Sequence, residues 1–67
     1  MIKILLWNVR TEKDLTLEEL SKLSGVSTSS LNRYECGAVS PTLDKLEKIA
    51  AALNVSMSDL FKSEHNY

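Results

Sequence analysis

Residues 17–36 read LEELSKLSGVSTSSLNRYEC, and most of what the sequence predicts starts from them. Each half has the apolar spacing of a short amphipathic helix, and only Gly25, Val26 and Ser27 separate the two. A link this short, opened by a glycine that can adopt a left-handed conformation, bends the chain sharply. The stretch therefore predicts a helix over 17–24, a tight turn, and a second helix over 28–36.

The same helix-start signal occurs four times along the chain. An apolar residue precedes a hydroxyl residue that caps the first turn, and a second apolar residue follows four positions after the cap. The caps are Thr16, Ser27, Thr42 and Ser56. Acidic third residues, Glu19 and Asp59, complete capping boxes at the first and last of them. Helix ends in a left-handed conformation are predicted at Gly25, Gly37 and Asn54.

These signals predict a compact, all-α, five-helix domain that takes in the whole chain, residues 1–67. The predicted helices are 2–12, 17–24, 28–36, 43–53 and 57–62. Asp14 is expected to turn the chain between the first two helices. Ile2 to Leu6 is the one strand candidate, although a helix is favoured there, and the polar tail 63–67 is expected to fray. The predicted core is Ile2, Leu6, Val9, Leu15, Leu20, Leu23, Val26, Leu31, Leu46, Ile49, Ala50, Leu53, Val55, Leu60 and Phe61.

The third helix presents two contrasting faces. Leu31 and Tyr34 are expected to point inward, and the opposite face is polar and made mostly of short, uncharged side chains. The members of that face are Thr28, Ser29, Asn32, Arg33 and Cys36. Such a face fits the major groove of DNA, where Asn32 could pair with adenine and Arg33 with guanine or a phosphate. An ordinary solvated helix face is the alternative.

Four segments carry a resemblance to a known family: LTLEELS (15–21), SGVS (24–27), LNRYECG (31–37) and SPTLDKLEKIAAALNVS (40–56). Together they resemble the Cro/CI-type (XRE, lambda-repressor-like) helix-turn-helix family, over about residues 2–62. The resemblance implies sequence-specific binding of double-stranded DNA by a transcriptional regulator, which we expect to be a repressor. Its third helix would enter the major groove, with base contacts from Thr28, Ser29, Asn32 and Arg33.

The resemblance also implies roles outside the third helix. Arg10 and Glu35 match an interhelical salt bridge that holds the recognition helix in place. The loop 37–42 matches a clamp on the DNA backbone. The expected backbone contacts are Leu17, Ser27, Val39, Ser40, Thr42 and Lys45. Leu17 departs from the family, which often has a phosphate-contacting glutamine there, so only its backbone N–H could donate.

The composition of the chain gives reason to consider an alternative to DNA binding. The net charge is −1, whereas DNA-binding domains are usually basic. This balance, Leu17 and the apolar first helix favour a second hypothesis, a protein–protein interaction module of the same fold. Apolar surfaces that could support a homodimer are predicted on the first helix (Ile4, Leu5, Trp7) and on the fifth helix (Met57, Leu60, Phe61).

Catalytic and metal-binding chemistry is not predicted. Cys36 is the single cysteine, which excludes an internal disulfide and favours a reducing cytoplasm, with a redox switch at this thiol as a minor alternative. His65 is the single histidine and lies in the polar tail. No apolar run is long enough to span a membrane. We therefore expect no enzyme activity, no cofactor and no metal.

Overall fold

The computed structural model describes residues 2–63 as four α-helices, a short 3₁₀ helix and a two-stranded antiparallel sheet. In chain order these are β1 (Ile2–Ile4), α1 (Leu6–Glu12), α2 (Leu17–Ser24), α3 (Thr28–Cys36), α4 (Leu43–Leu53), the 3₁₀ helix (Met57–Leu60) and β2 (Phe61–Ser63). The predicted bounds of α2, α3 and α4 are confirmed.

The five-helix prediction is wrong at both ends of the chain. The first helix covers 6–12 and not 2–12, because Ile2–Ile4 forms a strand that pairs antiparallel with Phe61–Ser63. The Leu5 N–H donates to the Leu60 carbonyl at 2.8 Å and extends this pairing. The predicted fifth helix, 57–62, is a 3₁₀ helix of four residues followed by β2. Of the predicted tail, Ser63 belongs to β2, and 64–67 lie outside the described residues.

Capping boxes begin α2 and the 3₁₀ helix, as predicted. Thr16 Oγ1 accepts from the Glu19 N–H at 3.1 Å, and the Glu19 carboxylate accepts from the Thr16 N–H at 2.9 Å. At the 3₁₀ helix, the Asp59 carboxylate accepts from the Ser56 N–H at 3.1 Å. At α2 the exchange pairs two backbone donors that a helix start leaves without intrahelical partners, whereas at the 3₁₀ helix the Asp59 carboxylate pairs the Ser56 N–H.

The predicted chain reversals are also confirmed. Gly25 and Gly37 end α2 and α3 in left-handed conformations, both with φ of 76°. Asn54 ends α4 with φ of 57°, and Asp14 turns the chain between α1 and α2 with φ of 55°. Short polar side chains tolerate this region better than other non-glycine residues do, so these positions are read correctly from sequence.

One apolar cluster joins all four helices. Its buried members are Leu6, Leu20, Val26, Leu31, Tyr34, Leu46, Ile49, Ala50, Leu53 and Leu60. Four other predicted core residues are partly buried against this cluster: Val9, Leu15, Val55 and Phe61. Two predicted core residues are exposed instead. Leu23 is 61% exposed because it sits in the last turn of α2, where no neighbouring element covers it. Ile2 is 55% exposed because a strand, and not a helix, carries it at the edge of the molecule.

Candidate nucleic-acid interface

The turn between α2 and α3 directs one side of α3 outward. Gly25 reverses the chain, and the buried Val26 holds the turn against the core. Leu31 and Tyr34 are also buried, which places the inward side of α3 as the sequence predicts. Since the turn before α3 and the inner face of α3 are held by the core, the opposite face of the helix is presented to solvent.

An ion pair between α1 and α3 adds a second attachment. Arg10 Nε donates to Glu35 Oε2 at 2.6 Å, and Arg10 Nη2 donates to Glu35 Oε1 at 3.0 Å. Arg10 Nη1 donates to the Leu15 carbonyl at 2.7 Å. The hydrogen bond to Glu35 is the main reason that the pKa of Arg10 rises above its ordinary value. The guanidinium therefore stays charged and links α1, the turn before α2, and α3.

The predicted base-contacting residues share the outer face of α3. Ser29, Asn32 and Arg33 are exposed, and Thr28 is half-buried at the start of the helix. Cys36 is exposed on the same side, and its thiol donates a weak hydrogen bond to Asn32 Oδ1 at 3.8 Å. Arg33 contributes the single positive charge among these five residues. The side chains of this surface are polar and mostly exposed, which suits entry into a groove about 12 Å wide.

The predicted backbone-contacting residues lie at or just before the starts of α2, α3 and α4 and in the loop after α3, and their side chains differ in availability. Ser27 Oγ caps α3 by accepting from the Ser30 N–H at 3.2 Å, and it also donates to Ser30 Oγ. Thr42 Oγ1 caps α4 by accepting from the Lys45 N–H at 3.2 Å, which leaves its own O–H able to donate. Capping is thus the observed role of Ser27.

The remaining members of this group differ in exposure. Val39 and Ser40 are exposed in the loop after α3, whereas Lys45 is half-buried in the first turn of α4. Leu17 is half-buried and packs against the core, so its side chain serves the fold. Its position at the first residue of α2 leaves the backbone N–H without an intrahelical acceptor.

The predicted dimer surfaces are only partly available. Trp7 on α1 is 56% exposed, and Ile4 and Leu5 beside it are half-buried. The second surface does not form on a fifth α-helix: Leu60 is fully buried, Met57 and Phe61 are half-buried, and Phe61 begins β2. Dimerisation through either surface stays a prediction.

No group of three or more His, Cys, Asp or Glu side chains within residues 2–63 could hold a metal ion, and His65 lies outside the described residues. None of the helices in this part of the chain is long and apolar enough to cross a membrane.

Comparison with known proteins agrees with this geometry. Residues 8–60 match the profile of the HTH_3 family, described as helix-turn-helix. The chain is also similar to two "Cryptic phage CTXphi transcriptional repressor RstR" proteins of Vibrio cholerae. One, from strain ATCC 39315 / El Tor Inaba N16961, is 37% identical over 59 residues, which is 88% of this chain and 53% of the relative. The other is 36% identical over 53 residues, which is 79% and 48%. The chain thus spans about half the length of these relatives.

Two solved structures share the fold. An HTH_3 family transcriptional regulator from Vibrio cholerae aligns with a TM-score of 0.77 and 42% identity, over 79% of this chain and 30% of that chain. The N-terminal DNA-binding domain of SinR from Bacillus subtilis aligns with a TM-score of 0.79 and 34% identity, over 91% and 90%. The second match covers nearly all of both chains, so the whole described fold, and not the helix-turn-helix alone, is shared.

Proposed function

The chain belongs to the HTH_3 helix-turn-helix family, and from this premise we propose that it binds double-stranded DNA sequence-specifically as a transcriptional regulator. The observation that carries the proposal is the outer face of α3. That face is polar and exposed, and it is held out by the buried Val26 at one end and by the Arg10–Glu35 ion pair at the other. A helix presented in this way can be inserted into the major groove as a unit.

In this proposal the outer face of α3 reads the bases. Asn32 offers a carboxamide that pairs with adenine, and Arg33 offers a guanidinium that pairs with guanine or reaches a phosphate. Thr28 and Ser29 lie at the N-terminal end of α3, the part that usually goes deepest into the groove. The exposed positions of Ser29, Asn32 and Arg33 support this assignment, because each side chain can reach a base edge without a rearrangement of the fold.

The residues around α3 would set the register on the DNA backbone. Backbone N–H groups of Leu17 and of the loop at Val39 and Ser40 would donate to phosphates, with Thr42 and Lys45 at the start of α4. The positive end of the α4 dipole adds to this attraction. Ser27 would lie beside the DNA backbone at the start of α3, where its hydroxyl is already engaged in capping the helix.

We infer that the chain acts as a repressor, as the name of the similar RstR proteins suggests. A single module of this size buries too little surface for high specificity, so we infer that two copies occupy two half-sites. Regulators of this kind need no catalytic group or cofactor, and a free cysteine suits a cytoplasmic protein.

The test is a titration of the chain against sites selected from random double-stranded DNA, at two salt concentrations. We expect affinity to fall steeply with salt, because binding releases counterions from the phosphates. Arg33→Ala should reduce the salt slope by about 1 if the side chain reaches a phosphate. Lys62→Ala is the matched control: it also removes one exposed cation, but from β2, outside every predicted contact.

An interaction module of the same fold remains the second candidate. The net charge of −1 and the apolar Leu17 favour it, since both weaken the attraction to phosphates. Binding that is absent at low salt, or that does not change with salt, would favour this candidate over the DNA-binding function.

A further inference from the structure

The outer edge of β1 is directed away from β2 and carries backbone groups of two residues. In an antiparallel pair, residues that exchange hydrogen bonds with the neighbouring strand alternate with residues whose N–H and C=O point away from it. The Leu5 N–H donates to the carbonyl of Leu60, which lies opposite it when the strand register is continued by one residue. Lys3 therefore also bonds toward β2, whereas Ile2 and Ile4 direct their backbone groups outward.

The outward backbone groups of Ile4 have no hydrogen-bond partner within residues 2–63. An unpaired backbone group has to be met by water or by another chain. Ile2 is 55% exposed and Ile4 is half-buried, so this edge lies at the surface of the molecule. The corresponding edge of β2 is less available, because Ser63 there already has an interaction partner. The edge of β1 is thus a template for an added strand.

The two faces of the sheet differ in character beside this edge. Ile2 and Ile4 point to one face, where they line an open apolar groove between the sheet and the start of α4. Lys3 points to the other face, directly opposite Lys62. Both lysines are exposed, and neither forms an ion pair with a residue of 2–63. Like charges at directly opposite positions repel each other, so this face favours an added negative charge.

We propose that an extended, acidic segment of a partner protein adds to the outer edge of β1 as a third, antiparallel strand. The backbone of the segment exchanges hydrogen bonds with Ile2 and Ile4. An acidic side chain of the segment lies opposite Lys3, at the kind of position where facing side chains of an antiparallel pair come closest. The apolar side chains before and after it continue the apolar face that borders the groove.

The charge of the sheet disfavours a second copy of β1 as the occupant. If two β1 strands paired antiparallel over all three residues, Lys3 of each copy would lie opposite Lys3 of the other. A shift of the register by two residues would avoid this repulsion, but only one outward-facing residue of each strand would then be paired. An acidic segment uses both Ile2 and Ile4 and places a carboxylate beside the two lysines.

Titration of the full chain with two blocked pentapeptides tests the proposal. The Glu peptide is Thr-Val-Glu-Val-Thr, and the Lys peptide, Thr-Val-Lys-Val-Thr, differs only in its central charge. The Glu peptide should bind with a dissociation constant of about 0.1–1 mM, a weak value because two residues of the edge supply the backbone bonds. The Lys peptide should bind about tenfold more weakly, because its charge faces Lys3.

Amide chemical shifts and hydrogen exchange locate the contact. The Ile4 N–H should shift and become protected from exchange when the Glu peptide binds, since it gains an acceptor. The Trp7 N–H should not change. A Glu peptide with both valines N-methylated keeps its charge but loses the two backbone donors that face β1, and it should not bind.

Reversal of the charge on β1 provides a second, independent test. Lys3→Glu should exchange the two preferences, so that the Lys peptide binds more tightly than the Glu peptide. Lys48→Glu is the matched control: it makes the same change at an exposed lysine of α4 and should keep the preference of the parent chain. Thermal unfolding confirms that both variants are folded.

Four results would overturn the proposal: no binding of the Glu peptide, equal affinity for the two peptides, binding that survives N-methylation, or protection at Phe61 in place of Ile4. A parent chain that dimerises without peptide and protects Ile4 in doing so would assign the edge to a second copy instead. The titrations contain no DNA, and every predicted DNA contact lies outside β1 and β2. Each of these results therefore leaves the proposed DNA-binding function untouched.

Discussion

Arg10 of α1 and Glu35 of α3, 25 positions apart in the sequence, form a two-point ion pair with N···O distances of 2.6 and 3.0 Å. Only 12% of the Arg10 side chain and 7% of the Glu35 side chain are exposed. The fork of the guanidinium matches the carboxylate, so the pair fixes both the distance and the rotation of α3 relative to α1. The orientation of the candidate recognition helix thus depends on a contact outside its outer face.

Replacing Glu35 by glutamine should lower the free energy of unfolding by about 2 kcal/mol. Exposed pairs contribute about 0–1 kcal/mol and broken buried pairs cost about 3–5 kcal/mol, and this mostly covered pair lies between the two. The loss arises because Arg10 keeps its charge but loses the opposing negative charge, while its hydrogen bond to the Leu15 carbonyl remains. Urea unfolding measures it, with Glu47→Gln on the exposed side of α4 as the control. Equal losses in the two variants would mean that the pair does not stabilise the fold.

Asn32→Ala and Arg33→Ala should each weaken binding to the selected DNA site by about 1–3 kcal/mol, because each removes a proposed base contact. Both side chains are exposed, so the thermal unfolding curves should match that of the parent chain. Asn8→Ala, at an exposed asparagine of α1, is the control for Asn32. Parent-like affinity in both α3 variants would show that the outer face of α3 does not read the bases.

Leu17→Gln should tighten DNA binding by about 1 kcal/mol, through a new side-chain hydrogen bond to a phosphate. Sequence preference should stay unchanged, since phosphate contacts carry no sequence information. The leucine packs against the core, so the same variant should lose about 1 kcal/mol of stability. Titration against matched and mismatched sites, together with urea unfolding, separates the two effects. An unchanged affinity would mean that the start of α2 does not approach the DNA backbone.

Acidification should destabilise the fold partly through Glu19. The hydrogen bond from the Thr16 N–H, and the one with the Thr16 side chain, lower the pKa of Glu19 below its ordinary value of 4.5. Because the pKa in the folded chain lies below that in the unfolded chain, the stabilisation is present above about pH 4.5 and disappears as the pH falls through the folded value.

The measurement is urea unfolding of the parent chain and Glu19→Gln, from about pH 7 to about pH 3. The variant should lose less stability than the parent over the acidic part of this range. Glu18→Gln is the control, since Glu18 shares the first turn of α2 but lies outside the capping box. Identical profiles for Glu19→Gln and the parent would contradict the prediction.

The three middle helices, α2, α3 and α4, could be predicted from local signals in the sequence. The bounds of α2, α3 and α4 follow from Thr16, Ser27 and Thr42 at their starts and from left-handed residues at their ends. Each signal acts within one helical turn of its own position, so no distant contact is needed to interpret it. The inward positions of Leu31 and Tyr34 follow from helical periodicity in the same way.

The ends of the chain could not be read in this way. Ile2–Ile4 is apolar enough for either a helix or a strand, and its partner strand Phe61–Ser63 lies at the opposite end of the sequence. The groove between the two-stranded sheet and the start of α4 was not predicted for the same reason, because its lining residues Ile2, Leu43 and Phe61 meet only after folding. The alternation of Ile2, Lys3 and Ile4 was the one available sign of a strand.

The amino-acid order alone determined where the three inner helices begin and end and which side of α3 is polar, because caps, left-handed residues and helical period act over a few neighbouring positions. Tertiary structure alone decided that the two ends of the described chain pair as strands, that Leu23 and Ile2 stay exposed, and that a groove opens beside Leu43. Those outcomes depend on contacts between segments that are far apart in the sequence, and only folding brings these segments together.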